Sequence, residues 1–225
     1  MKNRIVTISR EYASGGRDVG RALADELGLP VFDKEIMHIA TEKSGLPDDF
    51  VEKHGEHISS KFFQNLMRLS LNVPSVRVPM GYTSLTAAKS IAMSRSPDAK
   101  GDADHLFYVQ ADAIREVAAA GGCVIVGRCA GYILRDNPNL LSVFIRGNFE
   151  DRVQRAIQTY NCSEKTAAAD VQKIDKHRAN YYNFYTRRKW GVADNYDLVV
   201  NTSYAGISGA VAVIKAMLDA GESAC

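Results

Sequence analysis

Ile5-Val6-Thr7-Ile8-Ser9-Arg10-Glu11-Tyr12-Ala13-Ser14-Gly15-Gly16-Arg17-Asp18-Val19-Gly20 is the stretch on which the reading of this chain turns. A short β-branched run ends in a loop of small residues, and the loop opens directly onto a helical pattern. That layout lets backbone N–H groups and a helix N-terminus converge on an anion. The phosphate-loop consensus is G-x-x-x-x-G-K-[ST]. With its second Gly on Gly16, Arg17 stands at the Lys position, Asp18 at the Ser/Thr position and Glu11 at the first Gly. Arg17 still offers a cation, with a fork suited to phosphate oxygens. Asp18 supplies no hydroxyl, but a carboxylate holds Mg²⁺ directly or through water. Ser14-Gly15-Gly16 also reads as a plain strand-to-helix turn, so the context has to decide.

Outward from this loop, strand-like and helix-like segments alternate. Residues 4–8 read as a strand and 17–27 as a helix, with Val19, Leu23 and Leu27 four apart and Gly28 at its C-terminal stop. A second strand is expected over 29–33 and a helix over 34–44, stopped by Gly45. Further strands are expected at 123–127, 141–145 and 196–200. Asn148 should cap a helix running toward Asn161, and 207–220 should form the closing amphipathic helix. Apolar strands separated by helices imply a five-stranded parallel sheet covered on both faces, a three-layer α/β fold.

Residues 46–104 break this rhythm. Pro47, Pro74, Pro79, Gly81, Pro97 and Gly101 punctuate the stretch, and only 59–71 and 84–94 look helical. It is too long for a plain connection. We expect one domain over 1–225 with a helical insertion at 46–104 beside the acceptor; mere thickening of the molecule or support of a dimer is the bland alternative.

The composition narrows the partners. A net charge of +2 is too small to imply nucleic acid as a default partner, and no apolar run approaches the ~20 residues that span a bilayer. The start Met1-Lys2-Asn3-Arg4 runs straight into a strand pattern and shows no signal peptide. Cys123, Cys129, Cys162 and Cys225 have neither disulfide-framework density nor metal-ligand spacing. A cytoplasmic protein is the simplest expectation, and homo-oligomerisation stays open.

Three more constellations stand out. Phe32-Asp33-Lys34 lies at a strand end, where open α/β sheets bind ligands, although Asp33 equally suits the cap of the next helix. Arg128, between Gly127 and Gly131, is placed to approach an anionic group closely; Cys129 reads as a packing residue. The basic and aromatic segment 173–191 admits three readings: cations closing over a phosphoryl group, a stacking surface for single-stranded nucleic acid, or a solvated helix with inward aromatics.

In order and spacing these residues resemble the cytidylate kinase-like branch of the P-loop nucleoside monophosphate kinases. The resemblance runs through Ile8–Tyr12 and Ser14–Arg17, Phe32-Asp33-Lys34-Glu35, Val124–Ala130, Tyr181-Tyr182, Lys189-Trp190-Gly191, Asn195–Leu198 and Asn201-Thr202-Ser203. It implies a five-stranded parallel sheet with a phosphate loop, an NMP-binding insertion and an arginine-bearing lid, here at about 163–191. It also implies ATP and Mg²⁺ as cofactors and a small phosphorylated or hydroxylated acceptor, a pyrimidine nucleoside monophosphate first. Ser14, Gly15, Gly16, Arg17 and Asp18 would bind nucleotide phosphates, with Asp18 at the metal. Asp33, Lys34, Arg128 and Asp175 would bind the acceptor, and Arg17, Arg178, Arg187 and Arg188 would serve the transferring phosphoryl. Cytidylate kinases carry Asp-Ser-Gly and then Tyr-Arg where this chain has Asp33-Lys34-Glu35 and then His38-Ile39, so the acceptor is open. A nucleotide sensor without turnover, or a kinase for another small metabolite, are the rival expectations.

Overall fold

The computed structural model describes residues 4–33, Ile36 and 99–223. The expected helices at 34–44, 59–71 and 84–94, Lys34, and the insertion from 46 to 98 lie outside the described residues, apart from Ile36.

Five parallel strands form one sheet in the order β2-β3-β1-β4-β5. They are β1 (Ile5–Arg10), β2 (Val31–Phe32), β3 (Cys123–Val126), β4 (Leu140–Arg146) and β5 (Leu198–Asn201). β1 is central, with Ile5 opposite Cys123 on one side and Leu140 on the other. The chain leaves β1 for the far edge, returns through β3 and then crosses to β4. The crevice at the carboxyl ends beside β1 is where such a reversal places a ligand.

The helices are α1 (Gly16–Leu27), α2 (Ala99–Ala120), α3 (Ala130–Ile133), α4 (Phe149–Tyr160), α5 (Ala167–Thr186) and α6 (Thr202–Ser223), the last broken at Gly206. Strand alternation sorts side chains to two faces. Val6 and Ile8 meet Val19 and Leu23 of α1 and Ala210 and Ile214 of α6. Ile5 and Ile125 meet Ala111 and Ile114 of α2, Ile133 of α3 and Tyr181 and Tyr182 of α5. The result is the three-layer arrangement expected from the sequence.

Several boundaries differ from the expected ones. β1 runs on to Arg10, because Glu11 N–H still bonds the Ile145 carbonyl of β4 at 3.0 Å. α2 begins at Ala99, so residues 99–104 belong to the helix that runs on to Ala120. Asn148 does precede α4 but makes no side-chain cap; its Oδ1 accepts from Asn201 Nδ2 at 3.1 Å. α5 is packed along its length, with Ala167, Val171, Tyr181, Tyr182 and Thr186 buried. Arg178 therefore rides on an anchored helix.

Candidate functional site

The loop 11–15 is built by turning its carbonyls away from the crevice. Glu11 O accepts the Ser14 hydroxyl at 2.8 Å. Tyr12 O accepts Arg152 Nη1 at 3.3 Å, and Ala13 O accepts Arg155 Nη1 at 3.2 Å. Ser14 O accepts the Thr202 hydroxyl at 2.6 Å. Ala13 and Gly15 both sit in the left-handed region, at φ 56° and 78°. The first helical bond runs from Val19 N–H to Gly15 O at 2.9 Å, so the Gly16, Arg17 and Asp18 amides precede any intrahelical partner. Converging amides of this kind form an anion nest at a positive helix end.

Glycine is required here. A Cβ on Gly15 would lie 2.5 Å from Ile207 Cδ1, and one on Gly16 would lie 2.5 Å from Arg10 Cβ. Glu11, at the first consensus Gly, spends its side chain on structure: Oε2 accepts Gly147 N–H at 2.9 Å and lies 3.5 Å from Arg152 Nε.

Two adjoining cavities flank the loop. One is lined by Glu11–Ala13, Gly15–Arg17, Tyr160, Ile174, Arg10 and Arg178. The other is lined by Ser9, Gly127–Cys129, Tyr181, Tyr182 and Trp190, again with Arg10 and Arg178. These two arginines thus stand on the seam between the cavities. Arg178 Nη1 donates to Arg10 O at 3.2 Å, and its guanidinium lies 5.7 Å from the Tyr12 ring centre.

Arg128 ends β3 in an unusual way. Gly127, Arg128 and Cys129 have φ of 85°, 55° and 56°, three left-handed residues in a row. Such backbone costs energy at the two non-glycine residues and persists where surrounding structure imposes it. A Cβ on Gly127 would overlap the Arg10 guanidinium. Arg128 Nε and Nη1 are both buried without a hydrogen-bond partner among the described residues.

Other candidate residues are placed less simply. Arg17 Nε pairs with Asp33 Oδ2 at 2.5 Å, and Arg10 Nη2 lies 3.8 Å from Asp33 Oδ1. Asp33 is thereby a buried counter-ion for two cations. Asp18 is exposed on the first turn of α1 and outside the lining of the phosphate-loop cavity. No group of three metal-ligating side chains occurs among the described residues. Arg187 and Arg188 are exposed; Arg187 closes α5 in a left-handed conformation, and Arg188 lies over the Tyr132 ring at 5.4 Å. Neither lines the two cavities. Asp175 lies behind the loop, accepting Tyr12 N–H at 2.7 Å. Ser14 is fully buried and supports the loop through its hydroxyl.

The residue missed in the sequence is Arg10. Its signal was there: an arginine two places beyond Ile8 keeps the alternation of β1, so a charge had to share an inward face. Arg152 was missed as well, since inside an amphipathic helix it looks like a surface cation, yet its side chain is 9% exposed.

Burial governs titration at this end of the molecule. Loss of water, followed by the Cys162 contact, pushes the Tyr12 phenol up to about 12. Its hydroxyl and the Cys162 sulfur are 3.7 Å apart.

The fold extends across known proteins. An uncharacterized protein from Eubacterium ventriosum superposes with a TM-score of 0.64 at 26% identity, over 96% of this chain and 98% of that one. A shikimate kinase from Acinetobacter baumannii superposes with a TM-score of 0.50 at 12% identity, over 97% and 94% of the two chains, which is a likeness of fold alone. The cytidylate kinase of Thermococcus sibiricus is 31% identical over 112 residues, 47% of this chain and 54% of that one. That of Thermococcus kodakarensis is 29% identical over 110 residues, 47% and 54% of the two chains. The chain thus spans about half the length of the curated relatives it matches. The model of the cytidylate kinase-like family matches residues 5–204, and with that match over most of its length the chain belongs to this family.

Proposed function

We propose that the chain transfers a phosphoryl group from ATP to a small anionic acceptor, a pyrimidine nucleoside monophosphate first. The observation carrying this reading is Arg128. Two buried guanidinium nitrogens lack a partner and border a cavity that shares Arg10 and Arg178 with the phosphate loop. A buried cation without a protein partner is costly unless a ligand anion supplies one.

The donor phosphates would lie on the Gly15–Asp18 amides, where outward carbonyls and the absence of side chains at Gly15 and Gly16 suit them. The acceptor phosphate would lie on Arg128. Arg10 and Arg178 on the seam would then face the group in flight, stabilising charge that spreads over its oxygens. Arg17, held by Asp33, would exchange that carboxylate for a phosphate oxygen. Nothing else is required of the protein, since positioning and electrostatics dominate this chemistry. Mg²⁺ is ordinarily held by one or two carboxylates together with substrate phosphates, and it would neutralise charge on them; with Glu11 engaged by Gly147 and Arg152, the next carboxylate along the chain is Asp18, on the first turn of α1.

A sensor without turnover is favoured by one feature, the capture of Arg17 by Asp33. A coupled ADP-release assay over nucleoside monophosphates and hydroxylated metabolites, run beside ligand-induced melting shifts, separates the two. Release with CMP or UMP is expected, and Gly16→Val should abolish both release and the ATP melting shift. Melting shifts without release from any acceptor would leave the sensor standing.

A further inference from the structure

The resemblance puts Asp175 with the acceptor, but its surroundings lie on the other side of the phosphate loop. Asp175 belongs to the lining of neither cavity. Its Oδ1 accepts Tyr12 N–H at 2.7 Å, and its Oδ2 pairs with Arg152 Nη1. The same Nη1 reaches Tyr12 O at 3.3 Å. One carboxylate and one guanidinium therefore hold both polar groups of the Tyr12 backbone. Tyr12 immediately precedes Ala13, whose left-handed φ of 56° starts the turn of the loop. The pair is well shielded, at 16% and 9% side-chain exposure, and Glu11 adds a second carboxylate 3.5 Å from Arg152 Nε.

We infer that Asp175 is a donor-side positioning residue. With Arg152 it holds residues 12–13 in the conformation that turns the loop amides toward a phosphate, and it does not contact the acceptor. The kinetic part of this inference rests on the proposed phosphotransfer; the binding part does not. Asp175 and Arg178 lie three residues apart on one face of α5, so α5 is bonded to the chain at Tyr12 through one and at Arg10 through the other. The seam cation and the loop are thus set by the same stretch of helix.

The test uses the full chain with Asp175→Asn and Arg152→Gln. Asparagine keeps an oxygen for Tyr12 N–H while removing the charge that Arg152 needs. Calorimetry with inorganic tripolyphosphate and ATP probes the donor side, and CMP probes the acceptor side. Losing one charge-assisted bond should weaken tripolyphosphate and ATP binding on the order of 10-fold, with CMP affinity within about twofold. Where turnover occurs, KM for ATP should rise while kcat at saturating ATP holds within about threefold. Weakened CMP binding with unchanged tripolyphosphate affinity would return Asp175 to the acceptor, and no change on either side would equally overturn the inference. A wild type that binds tripolyphosphate but transfers nothing would end the proposed function while leaving this inference testable. Should both variants fail to fold, hydrogen exchange on the wild type decides: the Tyr12 amide should exchange as slowly as those of β1, and exchange at the rate of exposed loop amides sinks the proposal.

Discussion

The two sides of the crevice, which the proposed function assigns to two anions, are built in opposite ways. On the loop side the protein engages its own carbonyls and pairs its charges before any ligand arrives, with Arg17 Nε and Arg152 Nε held in ion pairs without a hydrogen bond. Four successive carbonyls have partners, Glu11 and Asp175 share Arg152, and Arg17 is answered by Asp33. On the Arg128 side two buried nitrogens wait without one. The loop side is preorganised, whereas on the proposed reading the Arg128 side is completed by the acceptor. Stability and acceptor recognition should therefore separate cleanly when each side is cut.

The largest expected effect lies on the seam itself. Arg178 adjoins both cavities and reaches Arg10 O at 3.2 Å. Its charge matters most as charge develops on the transferring group, so Arg178→Ala should lower kcat far more than it weakens ATP. By analogy with arginine fingers the loss is on the order of 10³-fold, about 4 kcal/mol, with ATP affinity changed by less than about tenfold. Steady-state kinetics beside ATP calorimetry check this. Wild-type turnover in the variant would assign Arg178 to holding the loop alone.

Next come two arginines cut in the same way. Arg152→Met strands Glu11 and Asp175 as carboxylates without their shared cation. For a largely buried pair that costs about 3 kcal/mol, read as a lower urea midpoint. Arg128→Met strands nothing, since its two buried nitrogens had no partner to lose. Its urea midpoint should hold or rise, while acceptor affinity falls by roughly 10- to 100-fold through lost charge-assisted bonds. Equal destabilisation by both substitutions would erase the distinction between the two sides.

That distinction was only half legible in the sequence. The layers were, because β-branched runs and four-residue spacings such as Val19, Leu23 and Leu27 report burial directly. The placement of Arg128 at a strand end beside a cavity was, because glycines flank it there. The ion pairs were not. Asp175 and Arg152 stand 23 residues apart, and Arg17 and Asp33 sixteen apart, so their meeting follows from how α4, α5 and the ends of β1 and β2 converge. Local patterning carries no record of such convergence, and the resemblance alone, which puts Asp175 with the acceptor, does not register its contacts with Tyr12 and Arg152. Arg10 fell between the two cases: its alternation was visible once β1 was known to continue past Ile8.

The smallest expected effect concerns pH, and it samples the packed helix that joins the two sides. Burial first, then the Cys162 contact, pushes the Tyr12 phenol up to about 12. Burial likewise raises Tyr182, Tyr185 and Tyr196, with Asp104 adding to Tyr185 and Tyr182 adding to Tyr196. An unfolded tyrosine titrates near 10. Below that pH folded and unfolded chains hold the same phenolic protons, and these groups contribute their full stability. As pH climbs through about 10 the unfolded chain releases protons that the fold retains, so stability falls with rising pH, and for Tyr12 the loss runs on to about 12. Urea midpoints should decline from about pH 10 upward, and phenolate absorbance of the native protein should lag behind that of the unfolded chain. Tyr12→Phe removes one titrating group and should make the decline shallower, although it also gives up the 3.7 Å contact with Cys162. A decline equally steep in the variant would place the alkaline sensitivity in the α5 tyrosines and Tyr196, on the Arg128 side, and away from the loop.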